Sequence, residues 1–177
     1  MEKTYSWNEE EQTLTVFSNT GVKDYCRENG VTLEDYNYKT IIDPSVEDCS
    51  EMFCECQDDF NYDDDDYDLY YPYRGCESFN QPIEIPEGVK NCNSMFYRCS
   101  SFNQSITVPE SVKDRYGMFL NCFSLNQPIE ISGGVTERDD MFAYCNFIND
   151  DGSVKTYNEL SGITKNIVTK SLAEKAV

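Results

Sequence analysis

Two sets of residues in this chain could do chemistry: a run of carboxylates and a series of cysteines. The carboxylates are Asp58, Asp59, Asp63, Asp64, Asp65, Asp66 and Asp68, set among Phe60, Tyr62, Tyr67, Tyr70, Tyr71 and Tyr73. Oxygen ligands at this density could hold a divalent cation, and Asp63-x-Asp65 is the nearest thing to a Ca²⁺ motif. The EF-hand spacing, with its central Gly and distal Glu, is absent, so calcium ranks last among the readings. A second reading is a partner-binding loop, in which tyrosine supplies rigid contact area and aspartate seeks Arg or Lys. A third is a solubilising loop, because consecutive carboxylates repel one another and stay in water.

The chain has nine cysteines and no histidine. Without His there is no Ser-His, Cys-His or His-metal site. A non-catalytic protein with no cofactor and no metal is therefore expected; an Asp-cluster enzyme using a divalent metal is the remaining enzymatic option. Cys54-x-Cys56, with Cys49 nearby, is the tightest cysteine cluster, but a second pair at zinc-finger spacing is missing. It reads as core plus a bystander thiol.

The cysteines have a rhythm. Cys76, Cys99, Cys122 and Cys145 recur every 23 residues, each followed three residues later by Phe79, Phe102, Leu125 or Ile148 and then by Asn80, Asn103, Asn126 or Asn149. Ile83, Ile106 and Ile129, then Ile85, Val108 and Ile131, keep the same period, as do Val89, Val112 and Val135 and the Met-Phe pairs at 95, 118 and 141. A fixed period over so many positions predicts stacked repeats, each burying its apolar face against its neighbours. Cysteine at one register is then a small buried hydrophobe stacked on its copies. On that reading Cys99→Ser costs about 1–3 kcal/mol, because it buries a hydroxyl with no evident partner.

Around the repeats, residues 4–18 read as a hairpin: Tyr5 and Trp7, a turn at Asn8–Glu11, then alternation from Thr13 to Phe17. A short helix is expected near Val22–Arg27. The first repeat reads from Ile41, one residue short of the later ones, with Cys56 in the place of Cys99 and an insertion at 57–73. The tail has apolar residues at helical spacing from Leu160 to Leu172. Three segments follow: an N-terminal cap over 1–38, repeats over 39–150 and a C-terminal helical cap over 151–177.

The units MFYRCSSFNQSITVPESV and MFLNCFSLNQPIEISGGV resemble the leucine-rich repeats of the BspA-like (Treponema-type) family. The resemblance covers roughly residues 5–150 and implies a β-rich α+β leucine-rich-repeat solenoid: a right-handed coil with a short parallel sheet on one face. It implies no catalytic residues and points to binding or adhesion, often at a cell surface.

Strand alternation places Glu84, Thr107 and Glu130 outward if Ile83 and Ile85 and their copies point inward. With the formal net charge of −19, direct binding of nucleic acid is disfavoured, since phosphates need Lys and Arg. A basic protein partner is expected instead, approached by electrostatic steering. Small acidic phage proteins that block defence nucleases, anti-CRISPR proteins among them, have this nucleic-acid-mimicking character. The leading expectation is such an inhibitor from a phage or mobile element, with Asp58, Asp59, Tyr62, Asp63–Asp66, Tyr67, Asp68, Tyr70, Tyr71, Glu84, Thr107 and Glu130 in contact. The alternative is a bacterial cell-surface adhesion module. The opening residues MEKTYSWNEEEQ lack an apolar signal core, no stretch has membrane-spanning length, and a cytoplasmic location is expected. A sheet edge could support a homodimer.

Overall fold

Leu14 and Val16 point into the core from β2 (Thr13–Val16), and of the alternate pair Thr13 is also buried while Thr15 is half-buried. β2 pairs antiparallel with β1 (Tyr5–Asn8), Tyr5 opposite Val16. The intervening turn is held by Asn8, whose Oδ1 accepts from the N–H groups of Glu10 and Glu11 at 3.1 Å each. Helix α1 (Gly21–Asn29) buries Val22, Tyr25 and Cys26 and ends where Gly30 turns left-handed at φ 66°. A Cβ at Gly21 would lie 2.6 Å from Thr4 O, so glycine lets the helix start against the hairpin. β3 (Lys39–Ile42) then joins the other edge of β2 in parallel. The computed structural model describes residues 3–55, 74–132, 141–142 and 144–145.

The repeats begin earlier than Ile41. The N–H of Asn80 donates to Asn37 Oδ1 at 2.9 Å, just as Asn103 donates to Asn80 (2.9 Å) and Asn126 to Asn103 (2.8 Å). Leu33, Tyr36 and Asn37 thus occupy the positions of Cys76, Phe79 and Asn80, with no residue missing. Thr40 and Ile42 are buried where Ile83 and Ile85 are buried, and Ile41 faces out.

The insertion divides a repeat rather than following one. Val46 to Phe53 keeps the spacing of Val89 to Phe96. Two short strands, β4 (Cys54–Glu55) and β5 (Arg74–Gly75), then pair antiparallel, Cys54 opposite Gly75. Across this neck the N–H of Cys76 donates to Phe53 O at 2.9 Å. The matching bonds are Cys99 to Phe96 O (3.0 Å), Cys122 to Phe119 O (3.1 Å) and Cys145 to Phe142 O (3.1 Å). Cys76 therefore stands where Cys56 was expected to stand.

Consecutive repeats are joined by backbone bonds from turn residues. Examples are Phe53 N to Met95 O (3.1 Å), Phe96 N to Met118 O (2.9 Å) and Phe119 N to Met141 O (2.9 Å). Inside, Phe53, Phe96, Phe119 and Phe142 form one column, with centroids 5.2–5.4 Å apart and planes within 11°. Tyr36, Phe79 and Phe102 form a second column at 6.0 Å spacing, and Leu125 continues its register. One apolar core runs from Leu14 to Cys145.

The expected leucine-rich-repeat solenoid, a right-handed coil with one parallel sheet along a face, is not what forms. The described strands fall into three separate small sheets, one of three strands and two of two, with one short helix. The only described strand pair contributed by the regular repeats is β6 (Ile106–Val108) with β7 (Ile129–Ile131) in parallel. Residues 82–86 around Glu84, read from alternation as strand, form none. Pro82 and Pro86 remove two backbone donors from that five-residue stretch, which starves a ladder of its bonds. Left-handed residues at Ser94, Arg98 and Asn121, φ 53–64°, keep most of each repeat in turns. The expected C-terminal helical cap lies outside the described residues.

Candidate functional site

Ile106 and Val108 point into the core from β6, and Ile129 does so from β7. The alternation turns Thr107 and Glu130 outward as direct partners in the parallel register. Thr107 Oγ1 donates to Glu130 Oε2 at 3.4 Å. Glu84 occupies the same register one repeat earlier and is also exposed. Its neighbours Ile83 and Ile85 are buried, so it projects outward without a strand to hold it. Of the expected contact residues, the structure thus brings Thr107 and Glu130 together. Asp58, Asp59, Tyr62, Asp63, Asp64, Asp65, Asp66, Tyr67, Asp68, Tyr70 and Tyr71 lie outside the described residues.

What the structure does fix is the base of that acidic segment. Its two ends emerge from the β4–β5 neck, and Gly75 is wedged under the next repeat. A Cβ there would lie 2.4 Å from Tyr97 O and 2.6 Å from the carbonyl carbon of Arg98. Arg74, on the neck, sits 3.5 Å from Glu34. The segment is therefore anchored on the stack itself, one repeat from Leu33–Tyr36. The sequence held the signal for this, because Phe and Cys recur as the ends of each repeat turn at 96/99, 119/122 and 142/145, but the nearer Cys56 masked it.

The thiols that could have served as nucleophiles are closed off. Cys76, Cys99 and Cys122 are fully buried, and burial pushes each of them well above the ordinary thiol range. Burial raises Cys145 to about 12. Their protons are partly committed: Cys122 Sγ donates to Phe96 O at 3.1 Å and Cys145 Sγ to Phe119 O at 2.9 Å. Protonated, occluded thiols are poor nucleophiles and poor metal ligands. Among the described residues no group of three or more His, Cys, Asp or Glu side chains is arranged to hold a metal ion. Among them, too, no helix is long and apolar enough to cross a membrane.

The repeats match a family model over residues 48–157, described as Mycoplasma protein of unknown function, DUF285. The chain belongs to this family. The match opens at Asp48, inside the divided repeat, and covers the acidic segment and every later repeat of the DUF285 protein. Comparison with curated proteins gave no match, and comparison with solved structures gave none either.

Proposed function

We propose that this DUF285 protein is a non-catalytic binding module for a basic protein surface. The observation that carries the reading is the outward row at Glu84, Thr107 and Glu130, set on a core whose reactive thiols are sealed inside. A stack of repeats bonded to one another offers a fixed array of side chains, so little ordering entropy is lost on binding. The formal net charge of −19 would steer a cationic partner toward that array. The Asp- and Tyr-rich segment leaving the β4–β5 neck extends the same chemistry. An inhibitor filling the nucleic-acid groove of a defence nuclease in a bacterial cytoplasm is one member of this class. The sequence kinship of the MF..C.SFNQ units to BspA-like repeat proteins supports binding as the general role.

The test is a pull-down at low and high salt with three baits. These are the wild type, a variant with Asp63, Asp64, Asp65 and Asp66 changed together to Asn, and a Glu84→Gln/Glu130→Gln variant. A basic protein retained by the wild type, released by salt and lost from either variant supports the reading. A partner whose binding ignores salt and both sets of substitutions overturns it.

A further inference from the structure

The chain has a second line of thiols, separate from the column at Cys76, Cys99, Cys122 and Cys145. Cys49 and Cys92 occupy equivalent positions in adjacent repeats, next to the parallel bridge between Asp48 and Asn91. The N–H of Cys49 donates to Asn91 O at 2.8 Å, and that of Cys92 to Asp114 O at 2.7 Å. The two residues therefore sit on neighbouring rungs, at the roughly 4.8 Å separation of bonded parallel segments. Disulfides form across Cα separations of about 4.4–6.8 Å. Both side chains are fully buried, so peroxide reaches them when this rung opens locally and exposes the thiols. The contrast with the other column is chemical: Cys99, Cys122 and Cys145 each give their S–H to a backbone carbonyl, whereas the group acting most strongly on the Cys92 thiol is the thiol of Cys49 on the next rung. The third position of this line is Arg115, so these two thiols have no third described thiol beside them in it.

The geometry points to Cys49 and Cys92 as an oxidation site that closes into a disulfide when the protein meets hydrogen peroxide. Peroxide takes one thiol to a sulfenic acid and leaves as water. The second sulfur then attacks that sulfur and expels a second water. In balance, two S–H bonds break, one S–S bond forms, and one peroxide is reduced to two waters. The bond would staple the divided repeat to the next one, and the loop it closes between Cys49 and Cys92 contains all of residues 57–73. This inference does not depend on the partner-binding proposal.

The experiment is treatment of the folded full chain with hydrogen peroxide, followed by intact mass and non-reducing peptide mapping. The wild type should lose two hydrogen masses, yield one linked peptide pair containing Cys49 and Cys92, and unfold at a higher urea concentration until dithiothreitol reverses the shift. Cys49→Ala and Cys92→Ala should each abolish the linked pair. Mapping of the wild type alone decides the matter if either variant folds poorly. A disulfide elsewhere, sulfinic acid at either residue, or unmodified Cys49 and Cys92 at peroxide levels that oxidise the unfolded chain would each overturn the assignment.

Discussion

Between Phe53 and Cys76 the chain closes the same turn that it closes between Phe96 and Cys99, although it travels twenty residues further to do so. The closing bond is 2.9 Å in the divided repeat and 3.0 Å in the continuous one. Both turns place a phenylalanine in the same column, Phe53 and Phe96 lying 5.2 Å apart with planes 9° from parallel. The comparison teaches that each repeat is specified by its ends, where Phe and Cys enter the core, and is indifferent to what joins them. The neck β4–β5 supplies the only extra requirement, which is that the two ends return together.

That comparison is broken most severely from inside the core. Phe96 is fully buried and faces Phe53, Phe102 and Phe119 at 4.7–5.3 Å. Phe96→Ala should cost about 3–5 kcal/mol in urea unfolding, the range for a large aromatic replaced by a cavity. Phe53→Ala should cost about the same. A much smaller loss at Phe53 would show that the divided repeat is only loosely attached to the rest.

Alkaline pH tests the thiols of both kinds of repeat at once. Burial holds Cys76, Cys99 and Cys122 well above 9.0, their ordinary value. The unfolded chain releases these protons near pH 9 while the folded chain keeps them, so the contribution is whole below pH 9. It is then lost as the pH climbs toward and beyond the raised folded values. Each fully buried thiol should cost roughly 1.4 kcal/mol by one pH unit above its unfolded pKa. Urea midpoints measured from pH 8 to 10.5 should fall steadily, and a flat profile would contradict burial of the column.

Glycine separates the divided repeat from its copies. Gly75 holds the position taken by Arg98, Asn121 and Tyr144 in later repeats, and a Cβ on Gly75 would run into the backbone of Tyr97 and Arg98 in the next repeat. Gly75→Ala should cost about 1–3 kcal/mol by overpacking. Gly88, at φ 127° with open space around it, should cost about 1 kcal/mol on the same change through backbone strain alone. Thermal unfolding of the two variants would show the difference, and equal losses would remove the close approach as the explanation.

Much of this was legible in the sequence, and the parts that were not share a cause. Periodicity reports which residues are equivalent, so the Phe columns, the Cys line and the Asn bonds could all be read from spacing. It could not report whether equivalent segments bond as strands or as turns, since Pro82 and Pro86 do not disturb the period while they remove ladder donors. The first repeat was hidden because Leu33 and Tyr36 replace Cys and Phe, leaving only Glu34, Asn37 and Ile42 identical to Glu77, Asn80 and Ile85; Asn37 before an alternating Thr40–Ile42 was the available clue. For the site, alternation found Thr107 and Glu130 because they lie in real strands. It could say nothing about where the acidic segment is anchored, which depends on Gly75 meeting Tyr97 of the next repeat.

The cysteine column carries a smaller correction. Cys99→Ser was expected to strand a hydroxyl, yet Cys99, Cys122 and Cys145 each have a carbonyl to meet. At Cys99 the acceptor is 3.8 Å away, and the shorter C–O bond of serine leaves it out of reach, so a cost of about 1–3 kcal/mol still holds there. At Cys145 the acceptor is 2.9 Å away, and serine should keep its partner at a cost of about 1 kcal/mol or less. Chemical unfolding of the two variants should rank them in that order.

The smallest effect on stability is expected from the largest change to the chain. If a repeat is defined by its ends, residues 54–75 can be removed and Phe53 joined to Cys76 through Tyr-Arg, the dipeptide that joins Phe96 to Cys99. Closing a shorter loop costs less entropy, by about 0.6 kcal/mol for each halving of length. Stability should therefore be unchanged or raised by about 1–2 kcal/mol. Gly75 leaves with the excised segment, and an Arg takes its place as in the next repeat, so the left-handed turn of Arg98 must be reproduced at the new junction. A soluble variant with an unchanged circular dichroism spectrum and lost affinity for a basic partner would separate scaffold from binding segment. Loss of cooperative unfolding would mean that the divided repeat needs its neck, and that Phe53 and Cys76 alone do not specify the turn.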